Sequence, residues 1–440
     1  MKRVDFFYDF SCPYAYLGHT QIEGVCARAG AELVWKPFLL GGVFRAIGAP
    51  SVPAADMPPS KARHNALDMH RWADHFGVPL RMPDGHPNRT VLALRAALAG
   101  PAGELPAASK ALFRAYWVSA LDVSDPAVVR AALDQAGLDG GARVNLADRA
   151  ETKEALRTRT DEAIAAGVFG APAFLVRGAS AEPILFWGQD RLGLVERVLR
   201  GKAGPAESEV APSNSGEPRR LDFWFDFSSP FAYLGATQVE AVAARHRAEL
   251  RYRPFLLGGL FRSIGTPNVP LHAMPVAKQR HAAADMERWA AHYDVPFRFP
   301  TRFPMNTVKP LRMVLSLDAS RRAALIHPLF HALWALDRDI SDDATFVSIA
   351  DAAGFDGRAL GGDAGRRREA RAPRRDRRGR ARRRLRCAML RRRCGEDSDR
   401  AALLGTGSPG VRGESPRGVA SPRGIGIESS RCMRLAPSAP

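Results

Sequence analysis

Hydrophobic positions change their period several times along the first two hundred residues. Val4 to Tyr8 is apolar, aromatic and β-branched, which predicts a strand. Pro13 follows, and Leu17, Ile22, Val25 and Cys26 then fall at helical spacing. Proline suits a helix's first turn, where its missing N–H is not needed. Glu32 to Lys36 reads as a second strand, and residues 60–76 as an amphipathic helix with Leu67, His70, Arg71 and Trp72 at helical spacing. Further helices are expected over 90–99, 106–120, 126–137 and 150–166. Ala173 to Val176 and Ile184 to Trp187 read as short strands, and Leu192 to Leu199 as a closing helix. Gly41-Gly42 reads as a turn.

The order is strand, helix, strand, a long helical stretch, then strand, strand, helix. It predicts an α/β chain with a thioredoxin-like fold and a helical insertion. The pattern then starts again. Arg3-Val4-Asp5-Phe6-Phe7-Tyr8-Asp9-Phe10-Ser11-Cys12-Pro13 returns as Arg220-Leu221-Asp222-Phe223-Trp224-Phe225-Asp226-Phe227-Ser228-Ser229-Pro230, an offset of 217. Without a gap, residues 3–53 match 220–270 at 33 of 51 positions. The register holds at Arg71-Trp72-Ala73 against Arg288-Trp289-Ala290, and at Asp134–Asp139 against Asp351–Asp356. A period this long marks a duplicated domain rather than a solenoid. The expected layout is a complete copy over 1–201, a Gly-, Pro-, Ser- and Ala-rich linker over 202–218, a second, truncated copy over 219–360, and a disordered Arg-rich tail over 361–440.

The tail has the signature of a shifted reading frame. Leu403-Leu404-Gly405-Thr406-Gly407-Ser408-Pro409 can be encoded so that reading one nucleotide later yields Phe-Trp-Gly-Gln-Asp-Arg, the text of residues 186–191. The same shift on Arg383 to Met389 yields Gly-Val-Phe-Gly-Ala-Pro, the text of residues 167–172. Both hits lie within one residue of the 217 offset. The alternative is a genuine basic tail.

Charge sharpens this division. The whole chain of 440 residues carries a formal +18, but the 22 Arg and 8 acidic residues past position 360 account for +14, leaving +4 for the rest. A nucleic-acid partner would therefore rest on the tail alone. No apolar run is long enough to span a bilayer, and the start has no apolar signal core, so a cytoplasmic protein is expected. Five cysteines in such a chain do not suggest a disulfide framework. The eleven histidines and scattered cysteines show no metal-ligand spacing, so no metal is expected. His64 and His281, at equivalent places, read as helix-face residues rather than ligands.

Candidate chemistry gathers at two points. Cys12 lies where a strand passes into a helix; free N–H groups there stabilise an anion, so a lowered thiol pKa is expected. The alternative is an ordinary buried thiol, as expected of Cys26. The counterpart of Cys12 is Ser229, which can donate a hydrogen bond to another molecule's thiolate but is far less acidic. A two-thiol couple would need a second cysteine, and Cys12-Pro13-Tyr14-Ala15 has none at the fourth place. The second point is Phe169-Gly170-Ala171-Pro172 before a strand. Its proline is a candidate cis peptide, and such a turn would offer the N–H and C=O of Ala171 to an extended peptide. The alternative is a simple loop proline.

These residues resemble the DsbA-like thioredoxin superfamily, and within it the 2-hydroxychromene-2-carboxylate isomerases and kappa-class glutathione transferases. The matching features are Asp9 to Tyr16, Lys36-Pro37-Phe38-Leu39-Leu40-Gly41-Gly42, Arg71-Trp72-Ala73 before Val78-Pro79, Val168 to Pro172, and Phe186-Trp187-Gly188-Gln189-Asp190-Arg191. The resemblance implies a glutathione site, with glutathione as cosubstrate. The family's catalytic serine falls on Ser229, and on Cys12 in copy one. Its glutathione contacts fall on Ala171, Pro172, Asp190 and Arg191, its site lysine on Lys61 and Lys278, and its asparagine on Asn306, where copy one has Arg89. Family members are commonly dimers, so the copies are expected to pair within the chain or the protein to dimerise.

Three functions follow from this reading. The first is a glutathione-dependent isomerase or transferase acting on a conjugated aromatic-derived acid. The second is a monothiol disulfide oxidoreductase using Cys12. The third is a non-catalytic binding protein. All require Cys12 to stand beside Pro172 and open onto a pocket.

Overall fold

The computed structural model describes residues 1–50, 52, 57–201 and 219–361, and the backbone of 389–392. Met1–Arg393 form one compact unit; a second, Cys394–Pro440, lies outside the described residues, as do the expected linker over 202–218 and the rest of the Arg-rich tail.

Copy one is built on a four-stranded sheet of order β2-β1-β3-β4, with β1 at Arg3–Tyr8, β2 at Glu32–Pro37, β3 at Ala173–Arg177 and β4 at Ile184–Trp187. Strand β1 pairs in parallel with β2 and antiparallel with β3, so its two edges are both used. Being central, it is covered on both faces, and Val4 to Tyr8 are all buried. Phe6 stacks on Phe174 with centroids 5.3 Å apart, and Tyr8 meets Phe113 at 5.4 Å. Each large apolar side chain buried this way stabilises the fold by roughly 1.5–3 kcal/mol.

Helix α1, Pro13–Ala29, opens with its proline and closes on Gly30, whose φ of 62° is left-handed and lets its N–H reach the Ala27 and Cys26 carbonyls. Then come α2, Leu40–Ala46, and α3, Pro59–Phe76, followed by the helical insertion: α4 at Val91–Leu98, α5 at Leu105–Trp117, α6 at Pro126–Gln135, α7 at Gly140–Leu146 and α8 at Ala150–Ala165. Helix α9, Leu192–Arg200, closes the copy. The Gly41-Gly42 pair is not a turn: it lies inside α2, which sits so close to α8 that a Cβ on Gly42 would come 2.9 Å from Thr160 Cγ2. Helix α3 also differs from the expected face. Met69 and Ala73 are its buried residues, whereas Leu67 is 48% exposed.

Copy two repeats the plan: β5 at Arg219–Phe225, α10 at Pro230–Arg245, β6 at Ala248–Pro254, α11 at Leu257–Ser263, α12 at Val276–Tyr293, α13 at Val308–Ser316, α14 at Arg322–Trp334 and α15 at Asp343–Ala352. Its core repeats the first, with Phe225 on Phe330 at 5.6 Å where Tyr8 meets Phe113. The sequence leads one to expect half of this sheet to be missing. Three strands are present, in order β6-β5-β7, because Met389–Arg392 (β7) from the Arg-rich tail pairs antiparallel with β5. Asp222 faces Arg391 there, as Asp5 faces Leu175 in copy one, so β7 takes the place of β3. A fourth strand is not found among the described residues of copy two.

Candidate active site

The turn after β1 is organised by Asp9, which is 1% exposed. Its Oδ1 accepts hydrogen bonds from the Ser11 N–H (3.0 Å), the Ser11 hydroxyl (3.0 Å) and the Thr90 hydroxyl (2.7 Å), and its Oδ2 accepts from the Leu40 N–H at 2.9 Å. One carboxylate thus ties the Cys12 turn to the starts of α2 and α4. Burial pushes its pKa up and the four donors oppose that. Asp226 does the same in copy two, accepting from Ser228 N–H (3.0 Å), Leu257 N–H (2.7 Å) and the Thr307 hydroxyl (2.6 Å). The indoles of Trp117 and Trp334 donate to the carbonyls of Phe10 and Phe227, at 2.7 and 2.8 Å.

Cys12 occupies the N-cap of α1, and its Sγ donates to the carbonyl of Ala171 at 3.1 Å. The Ala171–Pro172 bond is cis. The two points singled out in the sequence are therefore in contact. The expected acidic thiol is not found, however. Burial pushes the Cys12 pKa up to about 12, outweighing the backbone N–H groups of Ala15 and Tyr14 at the helix start. The side chain is only 9% exposed, and a cavity of about 730 Å³ lies elsewhere, lined by Ala111, Arg114, Ala115, Val128 and Ala131 between α5 and α6. Cys12 stands beside Pro172 as required, with 9% of its surface exposed. Cys26 is likewise buried, its pKa raised to about 11 by desolvation.

Ser229 caps α10 in the ordinary way, its Oγ accepting from the Ala232 N–H at 3.2 Å. Lys61 is half-buried on α3, one turn before Asn65, whose Oδ1 accepts from the Tyr14 hydroxyl at 2.7 Å. Asn306 is exposed and turned back on its own chain, its Oδ1 accepting from the Val308 N–H at 3.1 Å.

Asp190 and Arg191 follow β4, and here the two copies meet. Helix α12 of copy two lies against this edge of copy one. The Arg191 guanidinium grips Asp285: Nε reaches Oδ1 at 3.0 Å and Oδ2 at 3.2 Å, and Nη2 reaches Oδ2 at 2.8 Å. It also stands 5.3 Å from the ring of Trp289 and hydrogen-bonds Asp190. Arg288 donates to the Leu185 carbonyl at 3.1 Å, Lys278 Nζ lies 4.7 Å over the Trp187 ring, and Phe169 meets His281 edge-on at 5.2 Å. Arg191 is thus turned toward copy two's carboxylate. Lys278, expected at copy two's own site, touches copy one instead.

Sequence reasoning passed over the network of Asp9, Asp226, Thr90 and Thr307. The repeated Asp-Phe-Ser was visible, but the threonines that complete the network lie 81 residues further on in each copy. It read His281 only as a helix-face residue and passed over Trp187 and Asp285, whose contacts across the seam arise from the packing of the copies. Among the described residues no group of metal-ligating side chains is found, and no helix is long and apolar enough to cross a membrane.

Comparison with known proteins adds names to this geometry. A 2-hydroxychromene-2-carboxylate isomerase of Sphingobium xenophagum is 30% identical over 142 residues, covering 32% of this chain and 72% of its own length. The kappa 2 glutathione S-transferase of Caenorhabditis elegans is 27% identical over 208 residues, covering 45% and 92%. Among solved structures, a 2-hydroxychromene-2-carboxylate isomerase shares 24% identity at a TM-score of 0.39, covering 45% of this chain and 94% of that one. The pattern of the DSBA-like thioredoxin domain matches residues 3–200 and again 220–383, and the chain belongs to that family in both of its copies.

Proposed function

We propose that copy one binds glutathione along the Ala171–Pro172 edge and acts as an isomerase or transferase on a conjugated, ring-opened aromatic acid. The observation that carries this reading is the neutral thiol of Cys12 donating to the Ala171 carbonyl. A thiol with its pKa pushed up to about 12 has almost no thiolate at neutral pH, so it is a poor nucleophile and a serviceable hydrogen-bond donor. In the proposed site an extended thiol peptide pairs with Ala171, and the Cys12 S–H swings from the carbonyl to the peptide's thiolate. The stabilised thiolate adds to the conjugated acid, the new single bond allows rotation, and elimination returns glutathione unchanged. Cys12 forms no covalent bond in this cycle. The relatives' names, isomerase and glutathione transferase, support the same class of chemistry.

The test is Cys12→Ser, which keeps a donor at the same place. Turnover of the ring-opened acid with glutathione should stay within a few-fold of the parent. Loss of turnover to background would turn the assignment to a monothiol disulfide oxidoreductase. A parent chain that neither retains glutathione nor turns over thiol substrates is a non-catalytic binding protein.

A further inference from the structure

We infer that the seam between the copies holds a carboxylate subsite, formed by Trp187 of copy one with His281 and Lys278 of copy two, for one acid group of a peptide thiol. The inference rests on the glutathione reading above and extends it.

Two nitrogens at this seam are buried and have no hydrogen-bond partner: Nε1 of Trp187 and Nε2 of His281. An unpaired buried donor costs roughly 1–3 kcal/mol, so two of them facing one seam call for a shared acceptor. His281 is 9% exposed, its ring 6.5 Å from that of Trp187 and nearly perpendicular to it at 87°. The indole nitrogen can only donate. Burial keeps His281 neutral at ordinary pH, its pKa lowered to about 4, so in the Nε2–H tautomer it donates as well.

The pair stands at the peptide-binding edge. A Cβ built on Gly170 would come 2.6 Å from Trp187 Nε1, which places the nitrogen directly against the backbone leading into Ala171–Pro172. The charges select an anion. Lys278 Nζ stands 4.7 Å over the Trp187 ring, so an ammonium adjoins one of the two orphan donors. Arg191 is committed to Asp285 by three contacts of 2.8–3.2 Å and is turned away from an incoming acid. A carboxylate, with two acceptor oxygens and a single negative charge, fits both donors and the adjoining ammonium. A neutral amide supplies an acceptor but no charge.

The experiment uses the full chain and two variants that keep ring packing while deleting one donor each, Trp187→Phe and His281→Phe. Calorimetry measures glutathione and its diethyl ester, in which both acids are masked. Fluorine NMR measures 4-fluorobenzoate as a bare carboxylate. Each variant should weaken glutathione at least tenfold, change the diethyl ester less than twofold, and abolish the fluorobenzoate signal. If either variant fails to fold, the other carries the measurement, and Lys278→Met must weaken glutathione in the same direction. Glutathione bound equally well by all variants overturns the subsite and leaves the glutathione reading intact, the orphan nitrogens then being met by water. Fluorobenzoate bound in a variant-sensitive way without glutathione binding keeps the subsite and overturns the glutathione reading. A parent that binds neither probe overturns both.

Discussion

The two copies share a frame and differ in what is mounted on it. In each, a buried aspartate, Asp9 or Asp226, gathers the turn after the first strand and the starts of two helices, and a buried indole seals the carbonyl of the following phenylalanine. On that frame copy one carries a thiol turned to the carbonyl before a cis proline, while copy two carries a hydroxyl that simply caps its helix. The difference teaches that one polar frame can present either a thiol facing a cis proline or a plain helix cap. Copy two has β7 in the place of β3, and the tail segment leading into it lies outside the described residues.

The comparison is tested most severely at the aspartates. Asp9→Ala strands four donors, and Asp226→Ala three, so each should destabilise its copy by about 3 kcal/mol or more in urea denaturation. A loss below about 1 kcal/mol in either would break the claim of a common frame.

The next effect in size is at the seam. Asp285→Ala leaves the Arg191 guanidinium, only 17% exposed, without its main partner, and should cost about 2 kcal/mol. Adding Arg191→Ala should recover part of the loss, and a double-mutant cycle measures the coupling. A coupling of zero would mean that the copies are merely adjacent.

Smaller still is the exchange of caps. Ser229→Cys should cost about 1 kcal/mol by removing the oxygen that meets Ala232 N–H. Cys12→Ser should be neutral or slightly stabilising, since it supplies a cap oxygen that α1 lacks. Equal effects of opposite substitutions would erase the distinction between the two positions.

A separate effect is one of pH. His281 has its pKa lowered to about 4 by burial, so the folded seam resists its protonation. Its contribution is whole above the unfolded value of about 6.5 and is lost as pH falls toward 4. The stability difference between the parent and His281→Phe should therefore shrink over that window, in thermal melts at fixed salt. A difference independent of pH would show that His281 is not buried neutral.

Much of the architecture was legible in the sequence because the fold's periods are strong. The strands at Val4 and Ala173, the long helices and the repeat all appear where hydrophobic spacing and proline placement put them. The α2 helix was missed because two glycines weaken the local signal, and the reason they are there, the close approach of Thr160, lies over a hundred residues away. The site was legible as two points, Cys12 and Pro172, and their contact follows from β1 and β3 being neighbours. The state of the thiol was not. A helix start argues for an acidic sulfur, burial argues against it, and only the packed structure says which is larger. The same holds for Arg191, whose partner comes from the other copy and could not be read from either repeat alone.

The strand at 389–392 carries a lesson about unguarded borders. A sheet whose rim is left bare is an invitation to any passing backbone, including that of a neighbouring molecule. By laying Met389–Arg392 along β5, this chain keeps that rim occupied from within. A stretch whose wording no longer matches its twin can thus still do a twin's job, because main-chain hydrogen bonding asks for reach and extension and not for particular side chains.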